Sequence, residues 1–155
     1  MKLWLVISAF LVNSCSTVVL PKGVYCVSKC GALLRGSDDC EAFQDVEDKT
    51  LKAFARYVDW NEEDVCEALS GWLVIINGQE AWYSYYHDAW VMGITHCDLG
   101  VMELGKADFT DNSYTHEAAH VYECTMQLYE ETTDHANWDE KGIYKAVSVV
   151  KGRKP

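Results

Sequence analysis

The chain has 155 residues, 49% hydrophobic and 24% charged, which fits one globular domain with its own core and argues against extended disorder. Two prolines and ten glycines exclude collagen-like and proline-rich architectures. The formal net charge of −11 argues against nucleic-acid binding, which needs a cationic surface to displace counterions.

Residues 1–15 read MKLWLVISAFLVNSC. Lys2 supplies a short positive region, and the apolar run Leu3–Val12 has the length of a signal-peptide core. Spanning a bilayer takes about twenty residues, so this run is too short for a transmembrane helix. Val12, Asn13, Ser14 and Cys15 resemble the lipobox of bacterial lipoproteins, in which a Cys becomes the lipidated N-terminus. The resemblance implies a signal peptide over 1–14, a lipid on Cys15 and a single domain over 15–155. It also implies attachment to a membrane of the cell envelope through that lipid; the alternative is a freely secreted protein. The cysteines agree. They stand at 15, 26, 30, 40, 66, 97 and 124. With Cys15 set aside an even number remains, suited to three disulfides in an oxidising compartment. Spacing alone does not choose their pairing. Cys26 and Cys30 lack the second pair that a zinc ribbon would need.

Residues 16–36 read as an extended, glycine-punctuated lead-in. Ser37, Asp38 and Asp39 form a turn or helix start. From Asp45 to Trp60, Val46, Leu51, Phe54, Ala55 and Val58 fall near helical spacing. Asn61 is placed to cap a short helix through Leu69, closed by Gly71. Glu62, Glu63 and Asp64 then form a solvated first turn favoured by the helix dipole rather than a metal site. The apolar run from Trp72 to Asn77 reads as a buried strand. Residues 81–90 are densely aromatic and suit packing or a cleft wall. Val91–Thr95 and Val101–Leu104 read as two strands of a hairpin turning at Asp98, Leu99 and Gly100. Asp111, Asn112 and Ser113 are all good caps. The helix expected after them runs to about Glu131, with Tyr114, Ala118, Val121, Tyr122, Thr125, Leu128 and Tyr129 on one stripe. Asn137 with Glu140 predicts the start of a last helix to about Val150.

One motif carries chemistry. His116-Glu117-Ala118-Ala119-His120 is an HExxH sequence on the helix expected from other residues. Positions four apart share a helix face, so both imidazoles can reach one metal ion. Glu117 lies about 100° round the helix from His116, close enough to take a proton from water at the metal without ligating it. Zinc lowers the pKa of such water to about 7. Chance would produce about 0.01 such matches in a chain of this composition, although short motifs do misfire. The competing reading is a surface helix with two unligated histidines.

A catalytic zinc site takes three protein ligands and leaves a fourth position open. His135, fifteen residues beyond His120, is the leading third ligand. Glu131, Asp134, Asp139 and Glu140 are rivals, and Asp134 could instead accept a hydrogen bond from a ligand imidazole. His87 and His96 read as hydrogen-bonded structural histidines, with His96 also placed to line a cleft. Tyr144 and Tyr114 could stabilise an oxyanion but suit packing better.

HEAAH, the strand-like 100–105 segment before it and Asp134–Trp138 after it together resemble the zincin metallopeptidases. The resemblance spans about residues 45–140. It implies a small α+β domain with a short sheet over the HExxH helix, followed by a C-terminal helix. It also implies zinc on His116, His120 and His135, Glu117 as general base and a peptide or protein substrate. Val101–Leu104 would be the edge strand that pairs with an extended peptide. The HExxHxxGxxH pattern of metzincins is absent, since Glu123 and Met126 stand at the later positions. The alternative function is a non-catalytic zinc-binding or partner-binding envelope lipoprotein.

Overall fold

The computed structural model describes residues 22–85, 87–105, 109, 112–126, 135 and 137–150. The segment expected to be a signal peptide and Cys15 lie outside the described residues, as do Asp111, Leu128, Tyr129, Glu131 and Asp134.

The fold is α+β. Strands β1 (Val24–Val27) and β2 (Leu33–Arg35) come first, followed by helices α1 (Cys40–Tyr57) and α2 (Glu62–Leu69) and strand β3 (Leu73–Ile76). Then come β4 (Trp82–Ser84), β5 (Ala89–Val91), β6 (Gly93–His96) and β7 (Val101–Leu104), with helices α3 (Ser113–Thr125) and α4 (Ile143–Val149) last. The main sheet has the order β1-β2-β3-β7-β6; β4 and β5 form a separate two-stranded ribbon.

Two corrections concern the sheet. The 16–36 lead-in, where described, contains β1 and β2, which pair antiparallel. The strand Val101–Leu104 is not an edge. It lies between β3, to which it runs parallel, and β6, to which it is antiparallel. The expected 98–100 hairpin is present, but β3 covers the outer side of β7 and leaves β6 at the margin. Only the pairing of β3 with β7, distant in sequence, decides which arm of the hairpin is exposed.

Strand alternation puts one face of the sheet in the core. Leu34 pairs with Val74 and Val74 with Met102, while Ile76 pairs with Leu104. All five are buried. On β6 the same two rows end in Thr95, opposite Met102, and Gly93, opposite Leu104. The core is closed by α1, through Phe43, Val46, Leu51 and Phe54, and by α3, through Tyr114, Ala118, Val121 and Tyr122.

The helix boundaries follow local chemistry. α1 starts at Cys40, within reach of the turn or helix start expected at Ser37–Asp39: Asp39 Oδ1 accepts from Ala42 N at 2.9 Å, which brings Ala42 and Phe43 onto the buried stripe. Asn61 caps α2 as expected, its Oδ1 accepting from Glu63 N at 2.9 Å. Asn112 sits at the N-cap of α3 without a side-chain capping bond.

The last helix begins at Ile143, not at Asn137. Asn137 takes a left-handed φ of 63°, so the chain turns there instead of starting a helix. Its carbonyl accepts from Lys141 N at 2.8 Å, and Trp138 O accepts from Ile143 N at 2.9 Å. These turns bury Trp138. Gly142 enters α4 at φ 77°, where a Cβ would collide with the Tyr57 carbonyl oxygen.

Three disulfides join Cys26 to Cys40, Cys30 to Cys66 and Cys97 to Cys124. The last ties the turn after β6 to the end of α3. Such bonds belong to an oxidising compartment. The Cys30–Cys66 bridge spans 36 residues against 14 for Cys26–Cys40. Loop-closure entropy then gives about 4 kcal/mol for the former and about 3 kcal/mol for the latter. We expect denaturant unfolding to show a larger loss for Cys30→Ala/Cys66→Ala than for Cys26→Ala/Cys40→Ala.

Candidate metal centre

HEAAH occupies the middle of α3, which runs against β6 and β7. Ala118 and Ala119 are fully buried. Their small side chains let the helix sit close to its neighbours, while His116 and His120 project one turn apart from the same face. Their ring centroids are 5.1 Å apart.

His135 comes from the segment between α3 and α4. Its ring centroid lies 5.0 Å from that of His116 and 5.1 Å from that of His120. The potential ligand nitrogens of the three residues all lie within 4.8 Å of one another. Nε2 of His116 and Nε2 of His135 are 3.1 Å apart. Two nitrogens bound to one tetrahedral zinc at 2.0–2.1 Å stand about 3.3–3.4 Å apart, so this pair is already near coordination spacing. The expected third ligand therefore converges with the HExxH pair. Asp139 and Glu140 do not belong to this group; Glu131 and Asp134 lie outside the described residues.

The donor set fits a transition metal. It consists of three imidazoles, a ligand type that suits zinc, copper, iron and nickel better than calcium or magnesium. Burial, with a smaller contribution from His135, holds the pKa of His116 down to about 4. At neutral pH its ring is uncharged and can offer a lone pair without first losing a proton.

Trp138 supports all three rings. Its centroid is 4.9 Å from that of His116, 4.7 Å from His120 and 4.5 Å from His135. The indole is 1% exposed, and Nε1 donates to Glu123 Oε2 at 3.1 Å. Lys141 Nζ approaches the other oxygen of Glu123 at 3.4 Å. A buried carboxylate on α3 thus anchors the ring under the histidines, with a cation to offset its charge.

Glu117 is 5% exposed. Thr95 Oγ1 on β6 donates to Glu117 Oε2 at 2.8 Å and lies 3.2 Å from the Glu117 carbonyl oxygen. The carboxylate and the three imidazoles line one cavity of about 250 Å³, together with Thr95 and His87. A neighbouring cavity of about 340 Å³ shares Val91, Gly93, His116 and Glu117 with it and continues past Trp90 and Met92. The two form one groove along β5, β6 and the first half of α3.

The remaining candidates separate. His87, not His96, lines the cavity of the three imidazoles; His96 Nε2 lies 3.7 Å from Glu103 Oε1. Tyr114 is 1% exposed, and its hydroxyl donates to Glu47 Oε1 at 3.4 Å. It is a core residue and cannot meet an oxyanion in the groove. Tyr144 packs its ring 6.1 Å from His135 and 5.5 Å from Trp138.

The sequence reading passed over Thr95, Gly93 and the support that Trp138 gives. Only Gly93 carries a signal, since a glycine inside a strand marks close approach of another group. Glu47 was also missed. It is fully buried, accepts from Cys30 N at 3.1 Å, and burial raises its pKa. No family model, curated protein or solved structure matches the chain.

Proposed function

We propose that the protein is a zinc-dependent peptidase, held at a membrane of the cell envelope through lipid on Cys15. The observation that carries the reading is the convergence of His116, His120 and His135 in an open groove with the carboxylate of Glu117 beside them. The resemblance of HEAAH and the 134–138 segment to zincins supports it. The disulfides agree with a location outside the cytosol.

A zinc ion held by the three imidazoles would supply Lewis acidity toward a peptide carbonyl and make water nucleophilic near neutral pH. Glu117 then accepts a proton from the attacking water and passes it to the amine that leaves as the C–N bond breaks. β6, at the sheet margin, is the strand along which an extended peptide would lie.

A second reading is favoured by the exposure of Tyr85 (91%) and Trp90 (73%) on the β4–β5 ribbon and its turn. Exposed aromatic rings of this kind mark partner-binding surfaces. The protein would then hold zinc without catalysis and use the ribbon for contact.

Elemental analysis of the zinc-reconstituted protein, with hydrolysis of a mixed library of fluorogenic peptides, separates the two. We expect one zinc per chain and cleavage that stops on chelation and returns with zinc. Stoichiometric zinc without cleavage favours the binding protein, and a folded chain that takes up no zinc removes both readings.

A further inference from the structure

We propose that Gly93 and Thr95 are positioning residues for Glu117, fixing its carboxylate from the edge strand; this rests on the reading of Glu117 as general base. The two residues lie two apart on β6 and so share a face. That face continues the buried rows Leu34–Val74–Met102 and Ile76–Leu104. On the inner strands both rows carry buried apolar side chains. The rows end instead in a hydroxyl and in a residue with no side chain, and both meet Glu117.

The two contacts do different things. At Gly93, a Cβ would stand 2.6 Å from Glu117 Oε1, 2.8 Å from its Cγ and 3.0 Å from its Cδ. Any other residue at this position would drive the carboxylate out of its place. At Thr95, the hydroxyl donates to Oε2 at 2.8 Å. A hydroxyl bonded to one oxygen restricts the rotation of the carboxylate. The strand thereby sets where Oε1 sits relative to the histidines. It does so from the element on which a peptide would lie, so substrate register and base position share one support. The Cys97–Cys124 bond, immediately after β6, joins that strand to the helix carrying Glu117.

The test uses Thr95→Val, which keeps the shape and removes the hydroxyl, Thr95→Ser, which restores it, and Gly93→Ala. Zinc content and kcat and KM on the fluorogenic peptides are measured for each. In parallel, a denaturant double-mutant cycle pairs Thr95→Val with Glu117→Ala. We expect zinc content and KM to hold, and kcat to fall about ten- to hundredfold in Thr95→Val and Gly93→Ala, with recovery in Thr95→Ser. In the cycle, Thr95→Val should destabilise the wild-type background more than the Glu117→Ala background, where the hydroxyl keeps only the residue-117 carbonyl within reach. Wild-type kcat in zinc-loaded Thr95→Val overturns the proposal, and so does equal destabilisation in both backgrounds. If the wild type cleaves nothing, the peptidase reading fails, and the cycle alone decides whether Thr95 holds the carboxylate. Should Thr95→Val fail to fold, Gly93→Ala with unchanged kcat overturns the proposal.

Discussion

In His135→Ala, zinc affinity is expected to fall by more than about a hundredfold, beyond the 10–100-fold typical of residues that only orient ligands. The argument is geometric. Removing His135 leaves two imidazoles on one helix face, and a two-ligand site does not compete with water and buffer for a tetrahedral ion. His135 is exposed, so its loss costs the metal-free fold little. The effect should therefore appear only when zinc is present. At a free zinc concentration a hundred times the dissociation constant, binding stabilises the wild type by about 2.7 kcal/mol, or about 10 °C in Tm for a domain of this size. Calorimetry with and without zinc should show that shift in the wild type and its loss in His135→Ala. His96→Ala, which removes a histidine facing Glu103, should behave like the wild type. Full zinc affinity in His135→Ala would transfer the third ligand to a carboxylate of the 131–140 stretch.

Much of the scaffold around this centre could be read from local chemistry. Asn61 caps α2, the apolar run after Trp72 contains β3, and the stripe beginning at Tyr114 predicted α3 independently of the histidines it carries. These features depend on neighbours in sequence. What could not be read depends on distant partners or on backbone geometry. Whether β6 or β7 is exposed follows from the parallel pairing of Leu73 with Val101, a contact between separate segments that no periodicity records. The late start of α4 follows from a left-handed Asn137, although Asn137 and Glu140 carry a helix-start signature. Glu47 looks like a surface residue of an amphipathic helix, yet it is satisfied inside the core by Cys30 N and Tyr114.

The candidate site divides in the same way. His116, Glu117 and His120 are legible because one helical turn places them. His135 is legible only as the best-suited ligand type at a workable distance along the chain, and the fold was needed to bring it to His116. The supporting residues are silent in the sequence. A threonine in a strand and a tryptophan after a turn are ordinary packing residues until the tertiary contact is known. Trp138 touches all three histidine rings, and the carboxylate that orients it is on α3 itself. Ligand helix and supporting segment are thus linked both through the histidine rings and through Glu123.

Glu117→Gln tests the chemistry separately from the metal. Glutamine keeps the size of the side chain, and its amide oxygen can still accept from Thr95 Oγ1, so the groove and the imidazoles remain as they are. What is lost is the ability to take a proton. General-base catalysis contributes about 10²–10⁴-fold, and kcat is expected to fall by that range while zinc content and KM stay near wild type. The separation of kcat from KM is the informative part, because a residue that merely bound substrate would raise KM at constant kcat. Glu103→Gln is a fitting control, since it removes a partly exposed carboxylate on β7 that faces His96 rather than the centre. Full activity in zinc-loaded Glu117→Gln would take Glu117 out of the mechanism and leave the three histidines as a metal site without its base.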